Sequence, residues 1–368
     1  EYEHPDAALI TGNVLEIDVP RVTQQDAFQQ YSVIIEVPAK YKTPAAAAPA
    51  TFVSAIKENK QLFTFSQGAQ NGINMLFGDQ QYYSFELKYH LQNPSISQGI
   101  SQVALPPDTA YQKFVYASIQ PKPEKIETDI DGNWIATFEV GAQKDLTVTA
   151  KGIATVYLKP TIPVPAISTK HLLSDSTFWQ TQDFTIQDFS KKLKTPREIY
   201  DYLTKNFSYD YRRLVLADQR RRGAVEALKT PDQTLCQEFT DTFIAVMRAQ
   251  GIPARELNGF AYTENTKLRP SSLIGDLLHA WPEYYDDAKK QWVQIDPTWG
   301  NTTNGVDFFT KLDFNHIVFA IHGQSPEKPY PAGMYKIAGK EEKDVEIKII
   351  PTAQFPTLRF PMLQPLPL

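Results

Sequence analysis

The spacing of hydrophobic residues changes once along this chain, and that change constrains its architecture more than any other feature. Up to about residue 165, apolar residues alternate or fall in short β-branched runs, as at 31–37, 81–91 and 146–158. Alternation lays them on one face of a strand. Turn signals such as Asp131-Gly132-Asn133 and Pro106-Pro107-Asp108 separate the runs. Only residues 52–60 suggest a short helix. This pattern predicts an antiparallel β-sandwich over residues 1–165, which the closely spaced Pro160, Pro163 and Pro165 would end.

Beyond residue 185 the period becomes helical. Thr195-Pro196-Arg197-Glu198 combines a Thr cap, a proline at the first helical position and Glu three residues after the cap. Ile199, Leu203 and Phe207 then recur at intervals of four. Thr234-Leu235-Cys236-Gln237 reads as a second capped start, with Cys236 at the second helical position. Phe239, Phe243, Val246 and Met247 form one face of that helix, which Gly251 and Pro253 end. Strands are expected at 254–263, 279–285, 291–296 and 317–321. The fold class is therefore α+β: a β-sandwich domain (1–165), an α+β core (166–325), and a Pro-rich extension (326–368) with one strand at 345–350.

Charge and composition narrow the function. With 37 basic and 42 acidic residues the net charge is −5, and without a long basic run nucleic acid is not an expected partner. No window approaches the roughly 18 consecutive apolar residues of a membrane span. The chain opens at Glu1 without an initiator Met or a signal-peptide pattern, which reads as a processed or trimmed product. The expected setting is extracellular or at the cell envelope, on architecture alone, with the cytoplasm left open.

Cys236 is the only cysteine, so neither an internal disulfide nor a multi-cysteine metal site can form. At a helix start, unpaired N–H groups and the positive end of the dipole favour a thiolate, whereas a lone cysteine elsewhere is usually a small buried hydrophobe. His279 and Asp296 lie equidistant from the centre of the turn Asp286-Asp287-Ala288-Lys289. A symmetric hairpin would set them opposite each other, with Cβ atoms about 4.5–5.5 Å apart. The carboxylate would then fix the imidazole tautomer and leave the other nitrogen for a thiol; a one-residue slip would place them on opposite faces.

Leu235-Cys236-Gln237-Glu238-Phe239, then residues 248–255 (RAQGIPAR), His279-Ala280-Trp281 and residues 292–299 (WVQIDPTW) together resemble the transglutaminase-like core, over roughly residues 190–325. The resemblance implies a papain-like α+β fold with Cys236 as nucleophile, His279 as base and Asp296 as its orienting partner. The family often has Gly two residues before the cysteine, where this chain has Thr234. The side chain completing the oxyanion hole would lie upstream of the cysteine, with Gln219, Gln233 and Tyr211 as candidates. The implied activity is acyl transfer on peptide or glutamine amides through a thioester, by hydrolysis or by transfer to an amine. It needs neither cofactor nor metal, and its partner would be a protein or peptide, including a cell-envelope component. The alternative is a non-catalytic surface-binding or structural protein with a degenerate core.

Other residues carry less. Trp281 and Trp299 read more often as core than as a substrate platform, but they flank the proposed triad, where they would wall a substrate site. His316 and His322 share a face of a regular strand but lie about 20 Å apart, so they cannot share a metal and read as core or surface histidines. Pro282, between His279 and Glu283, argues against a helical zinc motif. Arg220-Arg221-Arg222 reads as a solvated loop.

Overall fold

The computed structural model describes residues 7–24, 30–161, 170–215, 220–261, 278–303, 306–310, 312–336 and 343–351. The chain begins with β1 (Ala8–Thr11), β2 (Val14–Val19), β3 (Val33–Pro38), β4 (Ala46–Ala48), β5 (Val53–Lys57), β6 (Lys60–Phe65) and β7 (Ile73–Phe77). These make two antiparallel sheets, β1-β2-β7-β4 and β3-β6-β5, which close on Leu15, Ile17, Phe63, Phe65 and Met75. The short helix expected at 52–60 is instead the β5–β6 hairpin. Lys57 pairs with Lys60 across a two-residue turn in which Glu58 and Asn59 both have positive φ, the turn whose twist matches that of paired strands.

Next come β8 (Gln80–Asn93), β9 (Gly99–Leu105), β10 (Gln112–Gln120), β11 (Lys125–Thr128), β12 (Trp134–Val140) and β13 (Lys144–Tyr157). They form a second sandwich with its own apolar centre, so the β-rich region holds two layered units. Tyr83, Phe85, Leu87, Tyr89 and Leu91 alternate along β8 and are all buried. β8 pairs with β13 over its full length. Its other edge is taken by the last described strand, residues 345–349, at the expected C-terminal position.

The α+β core follows: α1 (Phe184–Lys192), α2 (Pro196–Asn206), α3 (Tyr211–Val215), α4 (Ala224–Lys229), α5 (Cys236–Ala249), β14 (Ala254–Ala261), β15 (His279–Asp286), β16 (Gln291–Gln294), α6 (Pro297–Thr302), β17 (His316–His322) and finally β18 (Val345–Ile349). The expected capping box of α2 is formed: Thr195 Oγ1 accepts from Glu198 N–H, and the Glu198 carboxylate accepts from Thr195 N–H. Helix α5 is buried almost all round, with Phe239, Phe243, Val246 and Met247 wholly inaccessible. Truncating a buried phenylalanine such as Phe243 to alanine costs about 3–5 kcal/mol, and this helix start positions the cysteine.

The sheet order of the core is β16-β15-β14-β17, which leaves β17 at an edge. Its unpaired backbone groups are met by side-chain amides from the second sandwich. Gln112 donates to Val318 O and accepts from Val318 N–H (2.9 and 2.8 Å), and Asn133 does the same for Ile321 (2.8 and 2.7 Å). Ile317 and Phe319 enter that sandwich's core. The β unit thus seals an edge that would otherwise template further pairing. Gln112→Ala, which strands both groups of Val318 in a buried setting, should cost about 1–3 kcal/mol. A denaturation midpoint indistinguishable from wild type would show that the edge is not held this way.

Candidate active site

Cys236 is the first residue of α5, one position earlier in the helix than the sequence suggested. The cap residue is Leu235, whose N–H is taken by Glu238 Oε2 at 2.7 Å. The Thr234 hydroxyl instead donates to Ser208 O at 2.9 Å. Glu238 is fixed in turn by Arg213, whose Nη1 lies 3.0 Å from Oε2. The box is therefore shifted by one residue, because a glutamate held by a buried arginine can cap a leucine that has no side-chain acceptor. The Cys236 and Gln237 N–H groups, at the open end of the helix, have no intrahelical partner.

His279 Nε2 stands 2.9 Å from Asp296 Oδ2, and both side chains are buried. They meet, but not through the symmetric hairpin. β15 and β16 pair Glu283 with Gln294 and Asp286 with Gln291, so the turn centre lies further along than Asp286–Lys289, with Lys290 at positive φ. Continued by the Ile295 N–H to Pro282 O bond, this register places Asp296 opposite Trp281. That is an even displacement from His279, which preserves the face, and the imidazole spans it. Asp296 itself caps α6: Oδ1 accepts from Trp299 N–H at 2.9 Å, and Pro297 occupies the first helical position. One carboxylate oxygen thus serves the helix and the other the histidine.

That second oxygen is shared. His316 Nε2 lies 3.1 Å from Asp296 Oδ2, and His316 Nδ1 lies 2.7 Å from Asp313 Oδ1. His316 had read as a plain core or surface histidine, and it belongs to the site because β17 is not regular. A bulge at Asn258/Gly259 pairs Gly259 with Val318 and Ala261 with His316, whereas Glu256 pairs with His322. An extra residue in one strand reverses the faces beyond it, so His322 turns to Glu256 (3.1 Å) and Pro329 O (2.8 Å). His316 shares a face with His279, which pairs with Gly259. A Cβ on Gly259 would come within 2.0 Å of Ile317 O, and only glycine permits that approach.

Burial by itself would discharge these imidazoles, but neighbouring carboxylates outweigh it. Asp296 and the adjacent Cys236 hold His279 protonated up to about 9, and Asp313 with Asp296 does the same for His316, again to about 9. Burial likewise opposes ionisation of Asp296, yet His279 and His316 bring it down to about 2. His279 Nδ1, the ring nitrogen not taken by Asp296, has no hydrogen-bond partner. His279, Asp296 and His316 have the composition of a metal site. Their separations of 2.9 and 3.1 Å are those of N–H donors on a carboxylate, so in this arrangement the three groups bond to one another.

These shifts fix a pH window. Each histidine is raised above its ordinary 6.5, so its stabilisation is complete below about 6.5 and lost as pH rises through about 9. Asp296 is lowered from 3.8, so its share is present above about 3.8 and lost as pH falls through about 2. His316→Gln should therefore lower the midpoint at pH 6 and do so much less at pH 10. An equal deficit at both pH values would remove His316 from the ion-pair cluster.

Trp281 and Trp299 are wholly buried and offer no surface to a substrate. Each stacks near-parallel on His279, with ring centroids 5.7 Å apart. Of the oxyanion candidates, Gln219 lies outside the described residues, the Gln233 amide oxygen accepts from Arg222 at 3.0 Å, and the Tyr211 ring is 44% exposed. Arg221 is not solvated: it is buried between Asp241 and Glu256. A cleft lined by Tyr111, Lys159, Lys289, Asp313 and His316 borders His316 and is not lined by Cys236, His279 or Asp296.

A helix-start cysteine beside an imidazole–carboxylate pair on the neighbouring sheet is the arrangement of papain-like cysteine enzymes. Residues 181–297 match the transglutaminase-like superfamily, and this part of the chain is a transglutaminase-like core; His316 lies beyond the matched segment. No curated protein matches the chain. Among solved structures, a candidate cysteine protease of Cytophaga hutchinsonii is 16% identical (TM-score 0.43) over 74% of this chain and 99% of its own. The periplasmic domain of TgpA from Pseudomonas aeruginosa is 15% identical (TM-score 0.32) over 62% and 91%. A candidate protease of Parabacteroides distasonis is 12% identical (TM-score 0.25) over 83% and 68%. No described helix is long and apolar enough to cross a membrane.

Proposed function

We propose that this protein is a cysteine-dependent enzyme that transfers the acyl group of a peptide or glutamine-side-chain amide through a thioester. The observation that carries this reading is the buried His279–Asp296 pair, 2.9 Å apart, beside the only thiol of the chain. Cys236 would be the nucleophile, His279 the proton carrier and Asp296 the group that keeps the imidazolium charged and oriented. The Cys236 sulfur attacks the amide carbon and the C=O electron pair moves to oxygen. When the tetrahedral adduct collapses, the C–N bond breaks and the amine leaves with the proton from His279. The thioester then passes to water or to a second amine, and access of each to the site decides between hydrolysis and crosslinking. A protein or peptide substrate and an extracellular or envelope setting belong to the same proposal, the latter supported by the two β units ahead of the core.

Intact-mass analysis after incubation with glutamine-containing peptides, with and without a primary amine, tests this directly. A thioester adduct on Cys236 with a deamidated, cleaved or amine-coupled peptide is the expected result. An unmodified protein and unmodified peptides in every mixture would leave the core as an inert scaffold.

A further inference from the structure

Tyr209 is a buried tyrosine of the core that holds the cysteine. It is joined to the segment that delivers the cysteine by a parallel bridge to Thr234, and Asp210 N–H donates to Thr234 O at 2.9 Å. Bridged residues project to the same side, and Leu235 is extended (φ −113°, ψ 179°), so Thr234 and Cys236 also share a side. Strands sit about 4.8 Å apart and two residues rise about 6.6 Å, a separation a tyrosine side chain can span. Both residues lie in one buried cluster. The Tyr209 hydroxyl is buried and has no hydrogen-bond partner, although a buried polar group normally finds one.

We propose that the Tyr209 hydroxyl is the side-chain donor of the oxyanion hole, acting together with the backbone N–H of Cys236. This rests on the cysteine-enzyme reading given above. As sulfur bonds to the carbonyl carbon, the C=O electron pair becomes a charge on oxygen, and a donor already in place stabilises that charge without reorganising. Burial and the Cys236, Tyr211, Glu238 and Asp296 charges all push ionisation of the phenol far upward, so Tyr209 keeps its proton to donate. A hydroxyl idle in the free enzyme is what such a role requires: its partner exists only during the reaction.

The test compares two reactions of Cys236 in wild type and in Tyr209→Phe. Acylation by p-nitrophenyl acetate passes through a tetrahedral oxyanion and releases p-nitrophenolate; alkylation by iodoacetamide displaces iodide and forms no oxyanion. Tyr209→Phe should slow acylation about a hundredfold, the scale of losing one oxyanion donor, and leave alkylation within about twofold. Its melting midpoint should not fall, because no hydrogen bond is lost. Equal acylation rates would overturn the proposal, as would a parallel loss of both reactions, which would make Tyr209 a modulator of the thiol. A wild type that is neither acylated nor alkylated at Cys236 would bring down the enzyme reading itself, a different outcome from either.

Discussion

Cys236→Ala should have no covalent turnover at all, a drop on the order of 10⁶ by analogy with removal of a nucleophilic serine. No other cysteine exists to take over, and nothing else described at the site is a nucleophile of comparable strength. Cys236→Ser should retain little, because a hydroxyl is far harder to ionise than a thiol. Stability should barely change, since the substitution removes a single sulfur at the start of a helix whose cap, Glu238 on Leu235 N–H, does not involve it. The measurement pairs turnover and acyl-adduct mass with thermal melting for both variants. Wild-type turnover in Cys236→Ala would end the thioester mechanism.

Asp296→Asn should be the most costly change that preserves shape. The asparagine oxygen can still accept from Trp299 N–H and cap α6. Its NH₂ group would then face both His279 and His316, where a carboxylate oxygen had accepted from each. The imidazoles lose their shared counter-charge, and the amide donates to His279 Nε2, driving its proton onto Nδ1, where it points at the thiol and cannot accept from it. In serine triads the equivalent change costs about 10⁴ in rate. A thiol–imidazolium pair needs less help, so a loss of several hundredfold is expected here. Removing one partner of a buried charge cluster costs about 3–5 kcal/mol, and deprotonation of the histidines should hold the effect to the lower end. Rate and melting midpoint should thus fall together, and alkylation of Cys236 at neutral pH should slow. A variant with wild-type alkylation and an unchanged midpoint would show that Asp296 supports neither His279 nor His316.

Much of this site was legible from spacing. The α2 capping box, the apolar face of α5, Asp296 near His279 and a strand at 345–350 all follow from local chemistry: caps and periods act over three or four residues. The departures had both local and distant causes. The hairpin register shifted because the turn settled on Lys290, yet an even displacement kept both side chains on one face. The cap moved one residue because Arg213, distant in sequence, fixed Glu238. The predicted helix at 52–60 gave way to a tight turn at Glu58-Asn59.

What the sequence alone determined is the identity of the candidate catalytic groups and the elements that carry them, because helix caps, hydrophobic period and residue chemistry are properties of short segments. Tertiary structure decided which groups meet. His316 enters the site, and His322 leaves it, only because a bulge at Gly259 reverses the faces of one strand. Asp296 becomes an anion for two imidazoles rather than one. Tyr209 is brought beside the cysteine by a bridge between distant segments. The last β strand completes a sheet whose central strand lies far earlier in the chain. Each of these depends on register and long-range pairing, where a single inserted residue redirects every side chain beyond it.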